Sequence, residues 1–304
     1  MTPEDLKRFI KLVSERMLEV ASYLRIMRGK VENLGKAAAS SVSATEMTTA
    51  FTEMDRFVQD YLLVPIFAAF PEVGFVPMAE ESTGMKRHHC GNCSDWTLVL
   101  DPIDGTAVYC NAGTDYSIML GLLYRGTMVV AIACHPESQT VWVAHHRGKI
   151  RKFQRKEEMI LRMTPLRATK NVAVHYRFLR DALVPVAARL EARGYTFATN
   201  GPDKEFGTVI TGAMRILTGH SCAFIGPHMA LHDVAVPAYF IQRAGGVFHL
   251  FEYGGKDDAD SWNFSGKLNT NFGQFDPTKE PPRYRVIMAD GIETLCQLVR
   301  DMKP

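Results

Sequence analysis

The chain has 304 residues, enough for one large or two modest domains with an ample core. Its 46% hydrophobic and 22% charged residues are ordinary for a soluble globular protein. Lys plus Arg (35) exceeds Asp plus Glu (33) by two, so no global field argues for a nucleic-acid polymer or a membrane surface as partner. Apolar runs also stop well short of the ~18 residues of a spanning helix.

The first eleven residues are charged and lack the apolar core of a signal peptide, so a cytoplasmic protein is expected. Leu6, Phe9, Ile10, Val13, Met17, Val20, Ala21 and Leu24 are spaced as one face of a helix, interrupted by Gly29 and the small residues of 35–43. A second helix is expected over 49–67, with Phe51, Met54, Phe57, Val58, Tyr61 and Leu62 as its apolar face. After Pro71 the pattern changes to short strands at 75–78, 97–100, 116–123, 128–134 and 141–144, separated by turns such as Arg125-Gly126 and Pro136-Glu137. This succession predicts an antiparallel sheet with the two helices on one face.

A charged stretch at 149–158 is the expected boundary, dividing the chain into an N-terminal α+β lobe (1–150) and a C-terminal α/β lobe (151–304). The second lobe reads as helix 179–193, strand 195–198, helix 206–217, strand 222–225 and helix 233–243 ending at Gly245. Strand 247–250, a polar loop over 254–278, strand 284–288 and a terminal helix from Gly291 follow. No internal repeat is present. The six cysteines read as free thiols of a reducing compartment. His88-His89-Cys90-Gly91-Asn92-Cys93 lacks the second Cys/His pair a zinc site needs, and reads as a surface hairpin loop.

The chemistry concentrates in Trp96-Thr97-Leu98-Val99-Leu100-Asp101-Pro102-Ile103-Asp104-Gly105-Thr106, an apolar strand running into two aspartates in a stiff turn. Pro102 fixes φ and lacks an N–H, Gly105 lets backbone approach a ligand, and Thr106 adds a hydroxyl and an amide. Carboxylates beside exposed amides suit a divalent cation on one side and a phosphate on the other.

This run resembles the metal-binding signature of the inositol monophosphatase-like superfamily, magnesium-dependent and often lithium-sensitive phosphomonoesterases. Pro77-Met78-Ala79-Glu80-Glu81-Ser82 is similar to that family's Gly-Glu-Glu-Ser element, with Ala79 in place of glycine. His232-Asp233-Val234-Ala235, followed by Ala244-Gly245-Gly246, is similar to its Trp-Asp-x-Ala…Ala-Gly-Gly element, with histidine replacing tryptophan. The likeness runs from about Asp55 to the C-terminus. It implies a layered α-β-α-β-α sugar-phosphatase-type fold, two or three Mg2+ ions, a small phosphorylated metabolite as partner, and a homodimer.

By the same resemblance, Glu80, Asp101 and the Ile103 carbonyl hold one magnesium, and Asp101 bridges to a second held by Asp104 and Asp233. Glu80, Asp101, Asp104 and Asp233 could not all stay ionised at one point without a cation, because like charges in a medium of dielectric ~20 repel by several kcal/mol. Oxygen donors without a His/Cys cluster favour a hard ion such as magnesium. Thr106 and Glu80 would orient the attacking water, with Asp55 supporting it. The Gly105 and Thr106 amides would cradle the phosphate, and Asp233, Lys204, Gly207 and Thr208 would line the substrate pocket.

Blander roles stand beside these. Glu81 reads as a solvated strand end, and Asp55 as either a solvated helix residue or a support of the site. Asp233 reads as a helix cap, a role compatible with ligation. Lys204 is evenly divided between a ligand contact and a solvated lysine, and His232 between packing and substrate contact. The chain departs from inositol-specific members at Gly226, where they carry a glutamate for substrate hydroxyls. Pro237 and Tyr239 replace small residues, and Pro237 is expected to tighten or bend its helix. The expected activity is hydrolysis of an inositol- or sugar-phosphate-type monoester. Histidinol phosphate, a 3'(2'),5'-bisphosphate nucleotide, or a catalytically weak binder of phosphorylated metabolites remain as alternatives.

Overall fold

A computed structural model of the chain describes residues 1–34, 52–81, 95–154, 157–163, 169–179, 183–201, 204, 206–252, 262, 267–272 and 283–303. Helix α1 (Pro3–Met27) starts from a capping box in which Thr2 and Asp5 satisfy each other's backbone amides, and buries Phe9, Val13, Met17, Val20, Ala21 and Leu24. Helix α2 (Glu53–Ala69) repeats the device with Thr52 and Asp55. The predicted Phe51 contact, residues 35–43 and the Cys90/Cys93 patch lie outside the described residues.

Seven strands follow: β1 (Val76–Ala79), β2 (Trp96–Asp104), β3 (Ser117–Tyr124), β4 (Thr127–His135), β5 (Thr140–His145), β6 (Ile150–Gln154) and β7 (Glu157–Leu161). They lie side by side in sequence order, antiparallel throughout except that β1 runs parallel to β2. Short helix α3 (Thr106–Cys110) joins β2 to β3. The charged stretch at 149–158, expected to part the lobes, instead extends this sheet as β6 and β7. Most of β7 is exposed, so its charged residues need no burial.

The second sheet is built from β8 (Asn171–Val174), β9 (Thr196–Thr199), β10 (Ala223–Ala230), β11 (Val247–Glu252) and β12 (Arg283–Ala289), in the order β11-β12-β10-β8-β9. Its helices are α4 (Val184–Ala192), α5 (Val209–Leu217), α6 (Leu231–Ala244) and α7 (Ile292–Met302). Some boundaries differ from expectation. The helix predicted over 179–193 is a 3-10 turn (Tyr176–Leu179) and then α4, whose start is set by a proline in its first turn. The helix predicted from Phe206 starts at Val209, because Thr208 caps it. The strand predicted to end at Ile225 runs on through Gly226-Pro227 to Ala230 by way of a bulge. Helix α6 ends at Gly245, with φ of 101°, as its sequence predicts, and Pro237 sits inside it without ending it.

Strand alternation sorts the core into layers. Leu98, Leu100, Leu120, Leu122, Val130 and Ile132 face α1 and α2, while Val99, Met119, Leu123, Ala131 and Ala133 face α5 and α6. The far side of α5 and α6 packs on Ala173, Phe224, Val286 and Met288 of the second sheet, whose other face carries Val172, Ile225 and Ile287 against α4 and α7. The result is the expected α-β-α-β-α stack. Cys110, Cys134, Cys222 and Cys296 are free thiols. Among the described residues no helix is long and apolar enough to cross a membrane. Phe240 lies fully buried in the central helical layer. Phe240→Ala is expected to cost about 3–5 kcal/mol, read as a lower urea midpoint at unchanged m-value.

Candidate functional site

Strand β2 positions the central carboxylates by breaking its own alternation. Asp101 pairs with Met119 and Asp104 with Ser117, so Pro102 and Ile103 together oppose the single residue Ile118. In a regular strand, residues three apart point to opposite faces; one extra residue restores them to the same side. Proline suits the position because it has no N–H to lose from the ladder. Gly105 then turns the chain with φ of 88°, and α3 begins at Thr106.

Two elements bring acidic side chains to this bulge from the N-terminal side. Strand β1 pairs Ala79 with Leu100, and the Glu80 amide donates to the Leu100 carbonyl at 3.1 Å, which carries Glu80 to the level of Asp101. The capping box of α2 holds Asp55, whose Oδ2 accepts from the Thr52 amide and hydroxyl, both at 2.7 Å. Asp55 Oδ1 lies 3.1 Å from the Thr106 hydroxyl, which is also 2.9 Å from the Ile103 carbonyl. Asp55 is 1% exposed, so the solvated reading of this residue fails. Glu81 is also buried rather than solvated. Gln59, one turn after Asp55, exchanges hydrogen bonds with its main chain at 2.9 and 3.0 Å.

The C-terminal half approaches from the other side. Asp104 Oδ2 accepts from the amides of Val209 (3.0 Å) and Ile210 (3.4 Å) at the start of α5, and from Ser117 Oγ at 3.4 Å. Asp233, in the first turn of α6, caps it by accepting from the Ala230 amide at 2.9 Å, and its other oxygen is 3.5 Å from His232 Nε2. Thr208 is fully buried, with its hydroxyl engaged in capping α5 through Thr211. Gly207 is pressed against Asp115, and Lys204 is exposed. Of the predicted substrate residues, Asp233 and Gly105 therefore adjoin the carboxylates, while Lys204 stands in solvent.

The electrostatics fit a hard cation. Burial, and next the charge of Glu80, push the Asp55 carboxyl up to about 7, against the pull of its Thr52 hydrogen bonds. Burial, followed by Asp233, holds Asp104 well above the usual carboxylate range. No lysine or arginine among the described residues pairs with either group. The donors are all oxygens, the set magnesium or calcium takes. Among the described residues no three acidic, histidine or cysteine side chains form a ready-made cation cage. The carboxylates adjoin one another as neighbours, Asp55 with Glu80 and Asp104 with Asp233.

Comparison with known proteins fits this arrangement. The model of the inositol monophosphatase family matches residues 9–267. The chain belongs to the inositol monophosphatase family. It is a phosphoric monoester hydrolase. Relatives of this inositol monophosphatase family member include the SuhB protein of Neisseria meningitidis, 23% identical over 71% of this chain and 77% of its own. Another is the 3'(2'),5'-bisphosphate nucleotidase CysQ of Haemophilus influenzae, 28% identical over 34% of this chain; that match spans only 37% of the nucleotidase. A crystal structure of an IMPase/NADP phosphatase complexed with Mg2+ and phosphate superposes with a TM-score of 0.68 at 14% identity, covering 97% of this chain and 95% of that one.

Sequence reasoning missed Gln59, Ser117 and Asp115 in this family member. Gln59 sits four residues after Asp55 and so on the same helical face, a signal that could have found it. Asp115, in Gly113-Thr114-Asp115-Tyr116, looks like any turn aspartate.

The raised Asp55 group fixes a sign. A carboxyl that binds its proton more tightly folded than unfolded contributes stability at low pH that is lost as pH rises through about 7. In the metal-free protein, melting temperature is expected to fall between about pH 5 and about pH 8. Asn can still accept from Thr52, so Asp55→Asn is expected to flatten this slope and melt several degrees higher at about pH 8. Differential scanning fluorimetry in chelator reads both.

Proposed function

We propose that this protein is a magnesium-dependent phosphatase that hydrolyses a small phosphomonoester by direct, in-line attack of water, without a phospho-enzyme. The observation that carries the reading is the bulge that turns Asp101 and Asp104 to one side, with Glu80 and Asp55 approaching from one half of the chain and Asp233 from the other. Glu80, Asp101 and the Ile103 carbonyl would hold one magnesium, and Asp101, Asp104 and Asp233 a second, with room in the reading for a third. Bound magnesium supplies charge neutralisation at the phosphoryl oxygens and makes a water more acidic.

The chain's own groups do the remaining work. The Thr106 hydroxyl can donate its one proton to Asp55 Oδ1 and keep lone pairs to accept from the attacking water. Glu80 serves as a second acceptor for that water. Asp55 holds Thr106 in place and is itself fixed by the capping box of α2. The amides of Gly105 and Thr106 face the phosphate. Asp104 keeps one oxygen on the amides of Val209 and Ile210, which orients the other.

The substrate is a small phosphorylated metabolite of sugar- or inositol-phosphate type, without a carboxylate at position 226 to take its hydroxyls. A side chain at Gly226 would meet Met229 Cγ at 2.8 Å and Phe224 Cε1 and Val286 Cγ1 at 3.0 Å, so this strand is packed for glycine. The likeness to CysQ keeps a bisphosphate nucleotide as the second reading. By family resemblance the enzyme works as a homodimer in the cytoplasm.

A magnesium titration with a chromogenic phosphate ester, followed by a panel of sugar, inositol, histidinol and bisphosphate-nucleotide substrates, tests the reading. Activity is expected to require magnesium and to fall at least about 100-fold in Asp101→Asn and Asp104→Asn. Full magnesium-dependent turnover in either variant contradicts the assignment, and absence of phosphate release from every ester marks a binder of phosphorylated metabolites.

A further inference from the structure

We propose that Asp115 is a positioning residue that ties the first sheet to the start of α5 and thereby sets the cation affinity of Asp104. The inference rests on the reading of Asp104 as a metal ligand. Asp115 lies between α3 and β3, on the opposite half of the chain from α5. Its Oδ2 accepts from the Gly207 amide and from the Thr211 hydroxyl, the latter at 3.0 Å. Thr211 in turn exchanges hydrogen bonds with Thr208, the cap of α5. One carboxylate oxygen thus fixes both the residue before the cap and the residue that completes it.

The other oxygen faces a histidine without accepting a hydrogen bond from it. The Ser138 amide donates to His135 Nδ1 at 3.3 Å, so in the neutral ring the proton sits on Nε2. That nitrogen faces Asp115 Oδ1 at 3.5 Å, a contact short of a hydrogen bond, so the tie to α5 runs through Asp115 Oδ2. The approach is close on the backbone as well: a Cβ on Gly207 would lie 2.0 Å from the Asp115 carbonyl oxygen. No side chain fits there.

The strap ends on the site. The next two amides of α5, those of Val209 and Ile210, are the ones that hold Asp104 Oδ2. Without Asp115, the first turn of α5 loses its anchor to the sheet that carries Asp104. A shift of α5 would therefore move the donors that hold this oxygen. Supports of ligating carboxylates typically set metal affinity by about 10–100-fold.

Calorimetric titration of Mg2+ into the full-length protein, alongside Asp115→Ala, Asp115→Asn and Thr211→Val, tests the proposal. Asp115→Ala is expected to weaken binding by on the order of 10-fold, and to raise the half-saturating magnesium for turnover by the same factor. At saturating magnesium, KM for the ester is expected to stay within about threefold of wild type. Asp115→Asn keeps a carbonyl oxygen for Gly207 and Thr211, and is expected to retain affinity within about threefold. Thr211→Val removes the hydroxyl that joins Asp115 to the Thr208 cap but keeps the Gly207 contact, and should fall between the two, which keeps the test open if Asp115→Ala does not fold. Wild-type affinity in folded Asp115→Ala, or in Thr211→Val, overturns the proposal, as does equal damage in Asp115→Asn and Asp115→Ala. If the wild-type protein binds no magnesium at all, the function reading falls and this inference with it.

Discussion

Asp55 and Asp104 are buried carboxyls that the described residues supply with acidic neighbours and with no lysine or arginine. Adding a second charge at contact distance in a medium of dielectric ~20 costs several kcal/mol, so such groups either take up protons or meet a cation. The two groups meet this cost near the end of β2. Everything near it is arranged to hold oxygens still. Capping boxes and the amides of α5 each fix one carboxylate oxygen and leave its twin directed elsewhere, while the strand bulge turns Asp101 and Asp104 to one side. A divalent ion would supply the missing charge and take oxygen ligands, which is why we read the site as a cation site and not as a set of damaged ion pairs.

The layered architecture explains how residues so far apart in sequence share this point. Both faces of the first sheet are covered, by α1 and α2 on one side and α5 and α6 on the other. Asp55 and Asp233 enter at the first turns of α2 and α6, helices on opposite faces of that sheet, and Asp104 is met at the start of α5. Helix N-termini bring unsatisfied amides with them, so acidic residues there are stabilised on their own account before any ligand is considered. Capping and ligation use different oxygens of one carboxylate. At Asp233 the cap occupies one oxygen, which leaves the other open to the ligation we propose.

Much of the site could be read in the sequence because its residues are dense and chemically specific. Two aspartates flanking Pro-Ile, followed by Gly-Thr after an apolar strand, leave few structural options, and Pro102 alone hints at the broken ladder. The burial of Asp55 and Glu81 could not be read the same way, since an acidic residue on a helix face or strand end is usually solvated. It depends on Thr106 and Gln59, contacts made across the fold. The strap through Asp115 was invisible for the same reason. Among the elements, the helical face of α1 followed directly from its periodicity, whereas α2 matched only in part: Val58 and Leu62 are buried as expected, but Phe57 is exposed and Asp55 and Gln59 take places on the buried face. The parallel pairing of β1 with β2 did not, because period and propensity carry no strand direction. The charged β6–β7 hairpin resembled a linker because most of β7 buries nothing and so shows no apolar alternation.

The central claim, that this row of carboxylates is a seat for hard divalent ions, is tested most directly by crystals grown with Mn2+ in place of Mg2+. Anomalous difference density is expected beside Asp101, within about 2.3 Å of its carboxylate and bounded by Glu80 on one side and by Asp104 and Asp233 on the other. Ordered crystals at saturating manganese with no anomalous peak among these four side chains would contradict the account.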